Sequence, residues 1–357
     1  MIFRARAPLR ISFCGGGTDL SPYVNERGGL VLNATIDRHA YATLRLREDR
    51  RVSVRSLDFK TDLDFSLDEP PPFDGNLDLV KGCLRRLAPD SRDEERGLEL
   101  YLETEAPPGS GLGASSALVV ATIGALAEWR RLTLDKYEVA RLAWEIERLD
   151  VGVPGGLQDQ YAASFGGFNL IEFRSERDAL VNPLRIEPRI LHELEYNMLL
   201  VYTGATRTSS HIIQSQIAGL RDKQRTVVDA MDRMKELTLE AKDALLTGRL
   251  EDFAGFLHEE WEAKKTTSDS VTTTAIDEMY GEARRLGALG GKVSGAGGGG
   301  FMFLFCPFDR KPAVTDRMHE LGGEILPMAF VPEGMQAWSW VERSQSRSQL
   351  PLTTGHA

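Results

Sequence analysis

Apolar positions recur with period two in some stretches of the chain and at helical spacing in others, and the two patterns take turns. LELYLETEA (98–106) alternates and predicts a strand. ALVVATIGALAEW (117–129), which follows after a short Gly/Ser turn, has the apolar spacing to line one face of a helix. AYATLRLRE (40–48) and RVSVRSLDF (51–59) read as adjacent strands with a charged turn at 48–51. EPPPFDGN (69–76) is a Pro/Gly-rich loop before a short helix over 77–87. DKYEVARLAWEIERLD (135–150) sets Val139, Leu142, Ala143, Ile146 and Leu149 at helical spacing behind Asp135 as N-cap. The Gly/Pro-rich segment 151–167 then leads into a strand, FNLIEF (168–173).

Beyond a polar stretch at 175–189 come a strand (196–204), a mostly helical region without proline (209–246) and a second helical run (250–265). Residues 277–289, a strand at 300–305, a helix at 311–321 and a final strand near 335–341 complete an α+β pattern. The polar stretch is the expected seam between an N-terminal unit, 1–185, and a C-terminal unit, 186–344. Residues 345–357, polar and featureless, are expected to be a disordered tail. No internal repeat is found.

The chain has 357 residues, 42% hydrophobic and 27% charged, which leaves room for two cores. A formal net charge of −10 argues against nucleic acid or an anionic membrane surface as a partner, so a bound polyphosphate would need local cations or a metal. Cys14, Cys83 and Cys306 show no metal spacing and are odd in number, and Cys306 ends an apolar run, FMFLFC. With no signal-peptide pattern and no membrane-length apolar run, a cytoplasmic protein, monomeric or homodimeric, is expected.

The candidate chemistry begins at PPGSGLGASSAL (107–118), between the first strand–helix pair. A Gly-rich, Ser-bearing turn feeding a helix N-terminus is suited to anions, because free N–H groups and the macrodipole point at it. By itself it is equally a flexible turn with a serine cap. It is no Walker loop, for it lacks the Gly-Lys-Ser/Thr ending, and its Gly-x-Gly-x-x-Ala fit at 109–114 is a weak dinucleotide signal. Two further turns strengthen the reading: RAPLRISFCGGGTDL (6–20) runs a strand into Gly15, Gly16 and Gly17, and GGKVSGAGGGGFMFLF (290–305) sets four glycines before an apolar strand.

In order and content these three segments resemble the motifs of the GHMP kinases, the family of galactokinase, homoserine kinase and mevalonate kinase, over roughly residues 2–342. The resemblance implies a two-domain α+β fold: an N-terminal α/β domain with the Gly-rich phosphate loop and a C-terminal ferredoxin-like α+β domain. It also implies an ATP-dependent phosphotransferase using Mg2+. Pro107, Gly109, Ser110, Gly111, Leu112, Gly113, Ala114, Ser115 and Ser116 would cradle ATP. Asp159 matches the family's base or alkoxide-stabilising aspartate, although on sequence alone it is a better helix N-cap. Arg10 falls where the first motif carries Arg or Lys, placed to pair with Asp159 and hold the γ-phosphate. Ser115 and Glu147 are the implied magnesium ligands. Glu145 competes with Glu147, because the spacing to Asp159 differs by about one residue from that in mevalonate kinase.

Galactokinases carry Gly-Glu-His-Thr-Asp where this chain has Gly15-Gly16-Gly17-Thr18-Asp19. The substitution argues against galactose and is expected to widen the pocket. The three-glycine form looks like the branch acting on D-glycero-D-manno-heptose 7-phosphate, with fucokinases as near relatives. The implied acceptor contacts are Gly16, Gly17, Thr18, Asp19, Gly297 and Gly298, with Arg207 and Ser210 at a second helix-N-terminal anion site. The implied partners are a small sugar phosphate and MgATP. A plain-sugar or mevalonate-type kinase and a non-catalytic regulator remain the alternatives. HEEWEAKK (258–265) reads as mostly solvated helix, with Trp261 and Lys264 able to approach the substrate end.

Overall fold

The computed structural model describes residues 1–58, 60–69, 71–88, 96–204 and 209–341. Its larger sheet is built on β1 (Ile2–Cys14) and β2 (Gly29–Leu46), which run antiparallel. From Ala7 onward β1 is buried on both faces, so its sequence lacks a clean alternation. Pro8, which has no N–H for the ladder, sits at a shift in register. The long β2 serves two neighbours on its other edge. Its first part pairs with β6 (Phe168–Ser175), which carries β7 (Asp178–Pro183). Its second part pairs with β5 (Leu98–Thr104), followed outward by β3 (Arg51–Ser56) and β4 (Thr61–Ser66).

The strands expected to be adjacent at 40–48 and 51–59 are therefore separated by β5. The three leucines of β5, Leu98, Leu100 and Leu102, are fully buried, and the half-exposed β4 takes the edge. The intervening charged turn is held by an Arg47–Asp49 pair at 2.6 Å rather than by pairing of the flanking strands.

Five helices accompany this sheet: α1 (Tyr23–Arg27), α2 (Asp78–Leu87), α3 (Ala114–Arg130), α4 (Lys136–Glu145) and α5 (Gln158–Phe165). α3 lies against β1 and β2 with α2, α4 and α5 around it, and is apolar nearly all round instead of along one face. α4 begins with a capping box between Asp135 and Glu138, as the N-cap reading requires.

The second sheet contains β8 (Met198–Tyr202), β9 (Gly290–Val293), β10 (Phe301–Phe305) and β11 (Glu324–Leu326) in the antiparallel order β11-β8-β10-β9, the ferredoxin-like arrangement. α6 (Pro188–Asn197), α7 (Ser209–Arg221), α8 (Arg225–Leu246), α9 (Leu250–Lys265), α10 (Thr274–Arg285) and α11 (Lys311–Glu320) belong to this half of the chain. The last strand, β12 (Gln336–Trp340), crosses back and pairs with β1, so the second unit does not run unbroken to residue 344. The expected seam is occupied in part by β7. The expected disordered tail lies outside the described residues.

The two sheets share one hydrophobic core. Phe13 of β1 stacks on Phe168 and meets Phe253 of α9 and Phe303 of β10 edge-on, with centroids 5.4–6.0 Å apart. Beside it lies a wholly buried ion pair: Lys292 Nζ of β9 donates to Glu260 Oε1 of α9 at 2.7 Å, and Gly15 N–H donates to the same oxygen at 3.2 Å. Glu260→Ala leaves a buried ammonium without its partner and is expected to cost about 3–5 kcal/mol in a urea melt. The Glu260→Met, Lys292→Met double variant should recover most of that loss; equal loss in both would show that the pair has no such role.

Candidate active site

Arg10 joins two of the glycine-rich turns and shares a cleft with the remaining one, at Gly16 and Gly17. Its backbone N–H donates to Leu112 O at 2.9 Å, fixing the 107–116 turn to β1. Its Nη1 donates to Gly111 O at 2.5 Å and to Ser294 Oγ at 3.3 Å, and its Nε and Nη2 both reach Asp159 Oδ1, at 2.8 and 2.7 Å. Phe301 N–H donates to Ser110 O at 2.9 Å, so the third turn is tied to the second by backbone as well. Glycine is needed at this junction: at Gly111, φ +77°, a Cβ would lie 2.5 Å from Ser294 O.

The 107–116 turn ends in α3 with three glycines at positive φ, Gly109, Gly111 and Gly113. No side chain caps α3 and no acidic residue sits in its first turn, which leaves its N–H groups available to an anion. Ser110 and Leu112 are buried supports of the turn, while Pro107 and Ser115 are exposed.

Asp159 is the second residue of α5 and does not cap it; that role falls to Asp19. The Oδ2 of Asp19 accepts from Leu157 N and Gln158 N at 2.8 and 3.0 Å, and its Oδ1 accepts from Gly17 N at 3.0 Å. A carboxylate at a helix N-terminus complements the macrodipole. Asp19 thereby sets where α5, and with it Asp159, begins.

A cleft opens beside these groups, walled by Arg10, Gly17, Asp19 and Asp159 on one side and by Lys264 and Gly295 on the other. α7 reaches it through Ile213 and Gln216. The three glycines do not simply widen it. A Cβ at Gly16 would lie 2.9 Å from Ser12 Oγ and 3.1 Å from Gln158 Nε2, and one at Gly17 would lie 3.1 Å from Met231 Cε of α8. Side chains from other elements fill that space.

Thr18 is fully buried and does not line the cleft. Its hydroxyl donates to Gly15 O and accepts from Leu30 N, tying the turn to β2. Gly297 and Gly298 face the backbone of Val271, with Gly298 N–H donating to Val271 O at 2.7 Å; Gly295 and Ala296 line the cleft in their place. Arg207 lies outside the described residues, and Ser210 is half-buried in the first turn of α7.

Comparison with known proteins agrees with this geometry. The model for the GHMP kinases N terminal domain matches residues 78–167 and that for GHMP kinases C terminal matches 241–324. A D-glycero-alpha-D-manno-heptose 7-phosphate kinase of Campylobacter jejuni is 38% identical over 94% of this chain and 98% of its own length. The chain belongs to the GHMP kinases. A crystal structure described as a D-glycero-D-manno-heptose 1-phosphate kinase of Bacteroides thetaiotaomicron superposes with a TM-score of 0.80 at 36% identity, covering 95% of this chain and all of that one. Lactococcus lactis galactokinase complexed with galactose, 22% identical over 94% of this chain and 95% of that one, shares the fold with a TM-score of 0.74. As a GHMP kinase the protein is an ATP-dependent phosphotransferase. Among the described residues no helix is long and apolar enough to cross a membrane.

Of the two carboxylates weighed as this kinase's metal ligand, Glu147 faces the phosphate turn and Glu145 does not. Glu145 lies 3.6 Å from Arg86 on the outer side. Glu147 is buried, its Oε2 accepting from Ser116 Oγ at 3.0 Å and lying 3.1 Å from Arg148 Nη1, and burial pushes its carboxyl above the usual carboxylate range. Ser116, not Ser115, is thus the hydroxyl on Glu147; neighbouring helix residues are set about 100° apart, so the two serines face different ways. A π-helical turn over Ile146–Asp150 follows α4, and Glu147 lies within it. Glu147 Oε1 has no partner among the described residues. One such oxygen and a serine hydroxyl fit a hard divalent cation that keeps several waters.

Lys264 reaches the cleft, as its segment allowed, but the burial of Glu260 in α9 was not foreseen from the sequence. Glu260 and Lys264 share the apolar phase of Leu250, Phe253, Leu257 and Trp261, and all are buried instead of solvated. Charged residues in an apolar helical register were the available signal.

Asp19→Ala is expected to lower stability by about 0.5–2 kcal/mol, as loss of a helix cap does. It should lower kcat as well, since the start of α5 is released. A variant with full kcat and an altered KM for the acceptor alone would assign Asp19 to acceptor binding instead of to capping.

Proposed function

We propose that the protein transfers the γ-phosphoryl group of ATP to the anomeric hydroxyl of D-glycero-D-manno-heptose 7-phosphate, in the cytoplasm, giving the 1,7-bisphosphate. The observation that carries the reading is the Arg10–Asp159 pair, held between two glycine-rich turns in a cleft that the third also lines. The 38% identity to a heptose 7-phosphate kinase over nearly the whole of both chains supports the substrate class.

Arg10 binds Asp159 through Oδ1 alone, and Oδ2 has no hydrogen-bond partner among the described residues. Oδ2 is then the oxygen that takes the proton from the acceptor hydroxyl as that oxygen attacks the γ-phosphorus and the bond to ADP breaks. The guanidinium neutralises charge building on the transferred phosphoryl group and holds the carboxylate in place. ATP phosphates rest on the uncapped start of α3 and the N–H groups of the 109–113 turn. Ser115 and Glu147 would hold Mg2+, with Ser116 orienting Glu147; the cation would supply charge neutralisation on the polyphosphate. The phosphate already on the sugar is assigned to the start of α7, to Arg207 and Ser210, since the same helix reaches the cleft through Ile213 and Gln216. Such a remote anchor orients the reacting oxygen. In this reading residues 1–185 form the nucleotide-binding domain and 186–344 the second domain, with the nucleotide toward the first sheet and the acceptor phosphate toward the second.

Initial rates with ATP and a panel of acceptors, with products followed by 31P NMR, test the substrate. Heptose 7-phosphate should exceed free fucose, galactose and mannose in kcat/KM by about 10²-fold or more. Equal use of a free sugar would assign a plain-sugar kinase, and faster use of heptose 1-phosphate would move the transferred phosphate to the other end of the sugar.

Asp159→Asn keeps the shape of the side chain and an oxygen for Arg10 but removes the base. It is expected to reduce kcat by about 10²–10⁴-fold while KM for ATP changes little. A folded variant with near-normal kcat would remove Asp159 from the chemistry.

A further inference from the structure

Lys264 lies in the last turn of α9 with its side chain carried inward to the wall of the cleft, 2% exposed. An ammonium group has three N–H donors. Two are taken by backbone carbonyls, Gly295 O at 2.7 Å and Gly16 O at 3.2 Å. No acceptor for the third exists among the described residues. No carboxylate forms an ion pair with it among the described residues. Glu260 Oε1, on the same helix, is held by Lys292 and Gly15, Asp19 accepts three backbone N–H groups and Asp159 Oδ1 is held by Arg10; Glu260 Oε2 and Asp159 Oδ2 are unengaged, yet neither bonds to Nζ.

A buried ammonium without a counter-ion is costly, and the phase of α9 would accommodate a leucine or methionine at that position. Burial, reinforced by Lys292 and Arg10 and opposed by Glu260 and Asp19, lowers its pKa to about 7. The glycine opposite completes the arrangement: any side chain at residue 16 would start 3.7 Å from Nζ and closer still to Ser12 and Gln158. Both ends of the lysine are thus organised around a head group directed into the acceptor side of the cleft.

We propose that Lys264 is a catalytic residue of this kinase that donates its third N–H to the reacting oxygen of the acceptor, holding that oxygen toward Asp159 and stabilising the charge that develops on it. Asp159 Oδ2 takes the acceptor's proton and Lys264 keeps its own throughout, so no proton passes through the lysine. The inference rests on the sugar-phosphate kinase reading given above, and supplies from the C-terminal half the lysine that the phosphate turn lacks.

The test uses the full-length enzyme, with heptose 7-phosphate and ATP varied separately. Lys264→Met should lower kcat/KM for the sugar phosphate by about 10²–10³-fold, as removal of one oxyanion donor does, with KM for ATP within about threefold of wild type. Wild-type log kcat/KM for the sugar phosphate should bend downward above about pH 7 as the ammonium loses its proton. In Lys264→Arg, whose charge does not titrate, that bend should be absent even if the rate is lower. A Lys264→Met enzyme within about threefold of wild type for the acceptor overturns the proposal. So does a bend that persists in Lys264→Arg, a result that stands even if the methionine variant fails to fold. A wild-type enzyme that phosphorylates no sugar phosphate overturns the function proposed above and this inference with it, whereas an active wild type with an unaffected lysine variant overturns this inference alone.

Discussion

Arg10 carries a permanent charge to a position only 4% exposed, where a guanidinium persists only if its N–H groups find acceptors. Those acceptors come from three stretches far apart in the chain: Gly111 in the phosphate turn, Ser294 in the last glycine-rich turn and Asp159 at the start of α5. Satisfying one buried charge thus fixes the relative positions of three pieces of backbone. The glycines follow from that constraint, since the turns pack carbonyl against Cα with no room for side chains. Asp19 and the Lys292–Glu260 pair extend the same logic, one anchoring α5 and the other joining β9 and α9 to the turn after β1.

Phosphoryl transfer asks a protein mainly for position and charge, and the scaffold answers with groups that are already committed before substrate arrives. Each carboxylate near the cleft has a distinct assignment. Asp19 is saturated by N–H groups and sets a helix; Glu260 is saturated by Lys292 and Gly15 on one oxygen; Asp159 keeps one oxygen unengaged. Charge asymmetry in a chain of net −10 is therefore local: Arg10, Lys264 and Lys292 are drawn inward to where phosphate chemistry takes place.

Much of this was legible in the sequence because it is local. The Gly/Ser turn at 107–116 and the helix behind it follow from glycine's freedom and apolar spacing, and Asp135 caps α4 as its position suggests. What escaped was set by partners distant in sequence. β5 entering between β2 and β3, β12 returning to β1 and the four-residue β9 have no signature in their own residues, because their neighbours decide them. The roles of Ser115 and Ser116 relative to Glu147 depend on helical phase and a π-helical turn, which a motif does not encode. Thr18 was drawn toward the substrate by its motif, yet its hydroxyl is consumed by backbone. Lys264 was expected to be able to approach the substrate end, but Glu260 looked solvated in a charged segment, and only its phase with Leu257 and Trp261 marked it as interior.

The central claim is that the three turns and α5 form one site for ATP and acceptor together. Hydrogen–deuterium exchange of the full chain, with a non-hydrolysable ATP analogue alone and then with heptose 7-phosphate added, measures it directly. Exchange should slow in the 107–116 turn with the nucleotide, and in residues 15–19, 157–159 and 294–296 once the acceptor is added. Protection confined to the 107–116 turn under both conditions, with the other three segments unchanged, would contradict that claim.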